Sequence, residues 1–413
     1  MTSSAPRFHG LDALRAGALL LGIVLHALMP FVPGMGWMIT DTSPAAWAMP
    51  TISVIHLFRM VLFLLLAGFF GRLVTTRRGM PRFLRERTVR IALPVFAFWP
   101  IAVLPLAIVT ALWAAAHGIV TAPPPPEPGV PVILQLFTPG QLWFLWVLYQ
   151  CCLLLAAARW AARRLAPVPA TRVLDVATAL LTGPWAVAIL AAPYAWTVVT
   201  QGTTYAGVDE PRTLLPDLVG LITYLSAFTA GWLIHRRGDA LDDIARRRRA
   251  HLVVAVAGSI GVLVLTGQLG PAVPWSTVTA AERHTVTAIV SAVTAWSWVY
   301  GLLGACTVHL RAERRWVRYL ADASYWMYLL HLPLLITIGA LFTDLPWPAT
   351  PKLLLTMAAT TAILVLTYDG FVRSTWIGAW LNGHRRPREI FTRREGRRGR
   401  SRTRTASPAV SVR

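Results

Sequence analysis

The sequence predicts an all-α fold, a polytopic transmembrane helix bundle of about ten spans with both termini cytoplasmic. Three observations carry this. Of 413 residues, 55% are apolar by type and only 14% are charged. Soluble domains carry roughly 25% charged residues, so this chain cannot dress a water-facing surface. Apolar runs of about 20 residues, the length that crosses the hydrocarbon core of a bilayer, recur ten times. Lysine and arginine are distributed between the connecting segments in step with those runs.

The first run, 14–33, is interrupted by Arg15 and His26 and is too long for the core of a cleaved signal peptide. The second, 51–71, carries His56 and Arg59, and 91–116 and 141–158 follow. The fifth and sixth, 173–193 and 214–235, are interrupted by Pro184, Pro193 and Pro216, which a span tolerates where neighbouring helices satisfy the freed carbonyls. The runs 250–269, 285–309, 323–342 and 352–371 complete the set. No internal repeat is visible, which weakens the case for a transporter built from two related halves.

Of the 39 basic residues only Lys352 is a lysine. The segments 1–13, 72–90, 159–172, 236–249, 310–322 and the stretch from 372 hold 34 of them. The alternate segments hold three: Arg212, Arg283 and Lys352. Positive residues stay on the cytoplasmic side, so the alternation implies an even number of crossings, with the proline-rich run 121–131 (TAPPPPEPGVP) outside. The net charge of +21 is thus a topological signal and implies no nucleic-acid partner. The arginine-rich composition suggests a bacterial host, and hence the bacterial cytoplasmic membrane. Residues 1–383 form the membrane domain, and 384–413 an Arg-rich cytoplasmic tail expected to be disordered. That tail either binds anionic lipid or is a solvated topology anchor. Cys151, Cys152 and Cys306 lie in apolar stretches without metal-ligand spacing and read as packing residues.

Ionisable groups inside spans cost several kcal/mol unless they face a cavity or a partner. Arg15 and His26, eleven residues apart, differ by roughly 20° after three turns and share one helix face about 16 Å apart. His56 and Arg59 share a face of the second span at i, i+3, with Arg59 roughly 12 Å below the outer edge, the depth of His26. The ninth span brings His331 to a similar level, and Pro333 can open the backbone beside it. Near the cytoplasmic end of the last span lie Tyr368 and Asp369, the latter placed to pair with Arg15. His56 and His331 are read either as substrate-binding groups or as helix–helix hydrogen bonders, and Arg15 either as a site residue or as a snorkelling arginine. Snorkelling is hard for Arg59. No metal site is expected, because no carboxylate or thiolate accompanies the histidines and none of them pair at i, i+3 or i, i+4. Without a phosphate loop or a nucleophile elbow, a histidine points to general-base work on a substrate hydroxyl.

These residues also carry a resemblance. The Arg15/His26 pair, preceded by Leu11-Asp12-Ala13-Leu14, resembles the signature of the membrane acyltransferase-3 family. The blocks 56–73, 85–94, 142–149 and 324–335 resemble further family segments in the same order, and 368–386 is similar to the glucan biosynthesis C subgroup, associated with glucan succinylation. The resemblance implies an O-acyltransferase within residues 1–383. It would move an acetyl- or succinyl-class group from cytoplasmic acyl-CoA, a co-substrate rather than a bound cofactor, to a hydroxyl of an extracytoplasmic glycan or lipid-linked sugar. His26, Arg15 and Arg59 would then be catalytic, and His56, His331, Tyr368 and Asp369 substrate-binding. The competing reading is a transporter or flippase for an anionic or polyol substrate, with the same polar layer as its translocation site. A receptor or scaffold leaves the buried charges without a role.

The charge alternation makes a direct prediction. Topology reporters fused after residues 40, 130, 205, 277 and 346 should all read outside, and one reporter reading inside breaks the map.

Overall fold

The computed structural model describes residues 8–120, 131, 134–135, 137–165, 170–202, 207–270 and 279–391. The proline run 121–130 and the tail beyond 391 lie outside the described residues. Every described secondary-structure element is helical. In chain order these are α1 (His9–Leu28), α2 (Ala48–Arg78), α3 (Met80–Arg87), α4 (Leu93–Ala116), α5 (Trp143–Leu165), α6 (Ala170–Thr182) and α7 (Ala186–Gln201). They continue with α8 (Leu218–Ile234), α9 (Ala240–Arg246), α10 (Arg248–Leu265), α11 (Ala280–His309), α12 (Arg315–Ala340), α13 (Ala349–Thr367) and α14 (Trp376–Asn382). All ten predicted runs fall on helices, and among the described residues eight helices are long and apolar enough to span alone.

The fifth and sixth runs depart from the expectation. The run 173–193 is not one straight span: the chain bends by 93° between Thr182 and Ala186, where Pro184 withholds an amide hydrogen. The buried end of α6 is finished by arginines of the 236–249 segment. Arg237 donates to the Thr182 hydroxyl (3.0 Å) and Arg247 to its carbonyl (2.9 Å), while Arg236 pairs with Asp175 (2.6 Å). The arm before the bend therefore belongs with the arginine-rich segments, and the apolar crossing shifts to α7. The sixth run is the 17-residue α8, about 25 Å long, which fits a thin or tilted crossing.

Helix α1 lies at the centre, against α2, α11, α12 and α13. α2 packs most closely on α8, and glycine makes that contact. A Cβ at Gly68 would fall on the Phe228 carbonyl, and one at Gly231 on the Leu65 carbonyl. Small residues let backbones meet where lipid supplies no hydrophobic drive between helices. Two π-helical turns, Thr88–Ala92 and Tyr368–Val372, flank α14. In the first, off-register carbonyls are taken by side chains: Tyr325 Oη donates to Arg90 O (2.6 Å) and Trp380 Nε1 to Val89 O (2.7 Å).

The connection after α1 is fastened by the chain's single lysine. Lys352 Nζ lies 2.8 Å from Asp41, with side chains 0% and 3% exposed. It also reaches the Thr343 carbonyl (3.3 Å), while Thr42 and Ser43 bond the Thr343 and Trp347 carbonyls. Breaking a buried pair strands a charge, whereas replacing both members with apolar groups is often neutral. Lys352→Met alone should therefore lower stability by about 3–5 kcal/mol, and adding Asp41→Leu should recover most of the loss. Additive losses in detergent unfolding would show that the two side chains are not coupled.

Candidate active site

A cavity of about 2160 Å³ runs the length of α1. It is lined by Phe8, Asp12 and Arg15 at one end of the helix, by Gly22 and His26 further along, and by Met35 to Met38 beyond the other end. Twenty helical residues span about 30 Å, so the cavity reaches both sides of the apolar layer. Its ends differ in the balance of charge. Arg15, Arg77, Arg87 and Arg90, with Asp12 and Asp322, line one, and Asp209, Glu210 and Asp217, with Arg212, line the other.

Between them lie His26, His56, Arg59, Gln141, Tyr328 and His331. The structure thus brings together the four ionisable groups that the sequence placed at matching depth. Arg59 is 8% exposed, has no ion pair among the described residues, and its Nε has no hydrogen-bond partner. It fits because α1 offers no side chain at Gly22, where an added Cβ would stand 2.7 Å from the Arg59 Nη1. A desolvated guanidinium without a carboxylate can stabilise an anion that forms beside it. The His26 ring stacks on Trp37 (centroids 6.1 Å, 16° between planes) and lies 5.3 Å from the His331 ring. Its Nδ1 is buried without a partner. His331 Nδ1 lies 2.8 Å from the Tyr328 carbonyl. A carbonyl only accepts, so Nδ1 carries the hydrogen, and the neutral ring presents Nε2 as its basic nitrogen.

The opening expected at Pro333 is visible and already used. Proline cannot donate to the carbonyl four residues back, and Gln141 Nε2 donates to that Leu329 carbonyl at 2.8 Å. Tyr328 Oη in turn donates to the Gln141 carbonyl. Gln141 is 7% exposed and was not foreseen, because a neutral amide raises no alarm in an apolar run. His56 packs against Gly207, where any side chain would overlap its ring.

The remaining expectations need correction. Arg15 lines the cavity but does not meet Asp369. It donates to the Ala321 carbonyl (3.0 Å), lies 3.7 Å from Asp12 and sits over the Phe70 ring. Asp369 and Tyr368 are buried away from the cavity lining. The Asp369 carboxylate accepts the backbone amides of Glu389 and Ile390 (both 3.0 Å) and Phe391 (3.3 Å), with Tyr319 Oη at 3.3 Å and Arg373 at 3.9 Å. Its valences are spent on the chain, because amides 20 residues further on compete better for a buried carboxylate than an arginine held elsewhere. Tyr368 packs edge-on to Tyr319. Residues 384–391, counted with the tail in the sequence reading, are docked here, and His384 lines the arginine-rich mouth. Among the described residues no three metal-ligating side chains cluster.

Residues 8–369 match the acyltransferase-3 family, described as an acyltransferase domain. The chain belongs to that family. It is similar to glucans biosynthesis protein C of Salmonella paratyphi B and of Salmonella heidelberg, 31% identical to each over 101 residues. The match covers 24% of this chain and 26% of either relative, so it spans about a quarter of the length of these curated relatives. No solved structure matches the chain. With many apolar helices and this family membership, the protein is an integral, multi-pass membrane protein of the acyltransferase-3 family.

The Gly22 contact gives a test that separates site from scaffold. A methyl at position 22 meets the free end of a flexible arginine, which can swing away at little cost in stability. Misplacing a group by about 1 Å costs up to about 10²-fold in rate. Gly22→Ala should therefore unfold at nearly the wild-type temperature while acyl transfer falls by ten- to a hundredfold on that scale. Full activity would show that the position of Arg59 is immaterial.

Proposed function

We propose that this acyltransferase moves an acyl group of the acetyl or succinyl class from cytoplasmic acyl-CoA to a hydroxyl of an extracytoplasmic glycan or lipid-linked sugar, at the bacterial cytoplasmic membrane. The observation that carries the reading is the cavity along α1, with arginines at one end, carboxylates at the other and the His26–Arg59 layer between. A polyanionic nucleotide thioester suits the first mouth. A polyhydroxylated acceptor suits the second. The name of the Salmonella relatives, glucans biosynthesis protein C, supports a glycan as acceptor.

In this reading His26 takes the proton of the acceptor hydroxyl as its oxygen attacks the thioester carbonyl. The new C–O bond forms, the carbonyl oxygen becomes an oxyanion beside Arg59, and the tetrahedral centre collapses with loss of the C–S bond. The CoA thiolate leaves and recovers the proton from His26. Arg15, near the arginine-rich mouth, compensates phosphate charge. His56 holds the loop at the acceptor mouth, and His331, its proton fixed on Nδ1 by the Tyr328 carbonyl, binds substrate through Nε2. The transporter reading gains nothing specific from the cavity, and a match to an acyltransferase domain over residues 8–369 weighs against it.

A general base contributes about 10²- to 10⁴-fold. His26→Ala should therefore remove measurable transfer while the protein still inserts and binds acyl-CoA, and His331→Ala should be milder. Near-normal acylation in a well-expressed His26→Ala strain would move the base to His56 or His331.

A further inference from the structure

At the carboxylate-lined mouth the loop between α7 and α8 is tied down on both sides. Tyr224 Oη reaches the carbonyls of Val208 (3.4 Å) and Asp209 (3.2 Å), and Gln201 Oε1 accepts the Asp209 amide (3.0 Å). Trp146 Nε1 donates to the Leu214 carbonyl (2.8 Å). Asp217 caps α8 through the Val219 amide (3.1 Å). Gly207 allows the close approach of the His56 ring.

Between these ties stands Glu210. It lines the cavity and is exposed there, yet it has no hydrogen bond or ion pair among the described residues. Enclosure by the protein around the cavity, which thins its water, raises its carboxyl above the usual range, and the largest opposing influence is Arg59. The two charges feel one another without touching. Arg59 itself is 8% exposed with an unpartnered Nε. A carboxylate on an anchored stretch of loop and a desolvated guanidinium thus face one open space. Carboxylates accept hydrogen bonds and repel anions, so that space suits a molecule that brings hydroxyl or ammonium donors to the glutamate.

We propose that Glu210 binds the acceptor and determines its class, admitting neutral or cationic polyols such as amino-sugar oligomers and excluding carboxylated ones. The proposal rests on the acyl-transfer reading above. The acceptor hydroxyls donate to the Glu210 carboxylate while the thioester carbonyl lies toward Arg59. Asp209 and Asp217 add to the sign of the mouth, opposed by Arg212 among the described residues that line it.

The test uses the full-length protein in detergent, labelled acetyl-CoA, and three soluble probes: a neutral β-glucan oligosaccharide, a chitosan oligomer and an oligogalacturonate. A hydrogen bond to a charged group corresponds to about tenfold or more in affinity. Wild type should use one of the first two probes at least tenfold better than the third on that scale. Glu210→Gln, nearly isosteric, should raise acceptor KM by a similar factor and shrink the discrimination, with acetyl-CoA KM unchanged. Glu210→Lys should move preference toward the oligogalacturonate. An unchanged acceptor KM and preference in both variants overturns the proposal, as does a fall in kcat alone. Wild-type transfer to none of the three probes, with acetyl-CoA hydrolysis intact, overturns the acceptor class. If wild type neither binds nor hydrolyses acetyl-CoA, the donor reading fails instead.

Discussion

The absence of a side chain at Gly22 is what the chamber depends on. Arg59 occupies the place a Cβ would claim, and so a full positive charge rests deep among helices with no carboxylate touching it. Such a charge costs several kcal/mol in an apolar layer, and among the described residues no ion pair offsets it. The rest of the bundle sustains it. α2, which carries Arg59, is locked to α8 by the reciprocal approach of Gly68 and Gly231 to backbone carbonyls. Another neighbour, α1, cannot rotate away without also moving Arg15 and His26, which share a face of the same helix. The arginine is held in an unfavourable place by packing that is favourable elsewhere, the usual condition of a preorganised electrostatic site.

The polar groups around it follow one rule. Inside an apolar layer each backbone carbonyl that loses its helical partner must find another. Pro333 frees the Leu329 carbonyl and Gln141 takes it. The π-helical turn at Thr88–Ala92 offers the Val89 and Arg90 carbonyls, and Trp380 and Tyr325 take those. These repairs also connect elements distant in sequence, so that the turn leading into α5 is tied to α12 and α14 to the segment bearing Arg87 and Arg90. The walls of the cavity are positioned by the repair of its backbone.

Much of this was legible in the sequence. Apolar runs located the long helices but not the short α3, α9 and α14, which lie in segments read as connections, and the helical period with matching depth put His26, His56, Arg59 and His331 in one layer. What escaped is what those signals do not measure. A hydropathy window cannot tell a span from an amphipathic arm whose end is capped by Arg237 and Arg247, so the fifth run was drawn straight. Depth alone placed Asp369 opposite Arg15, but its partners are backbone amides of residues 389–391, and backbone leaves no mark in side-chain pattern. Gln141 is neutral and Gly22 has no side chain at all. Glu210 sits in a polar connection where a carboxylate is unremarkable by type, and only its confinement to the cavity wall distinguishes it.

The fastening at Asp369 has a consequence for how the protein is made. As the chain emerges, the last span is complete some twenty residues before the amides of Glu389, Ile390 and Phe391 have been synthesised. Until then a carboxylate destined for full burial has only Tyr319 and Arg373 for company. The final packing at the end of α13, and with it the arginine-rich mouth lined by Asn382 and His384, depends on that later stretch of chain. The shape of that mouth is therefore set in part by amides that follow the last apolar helix by some twenty residues.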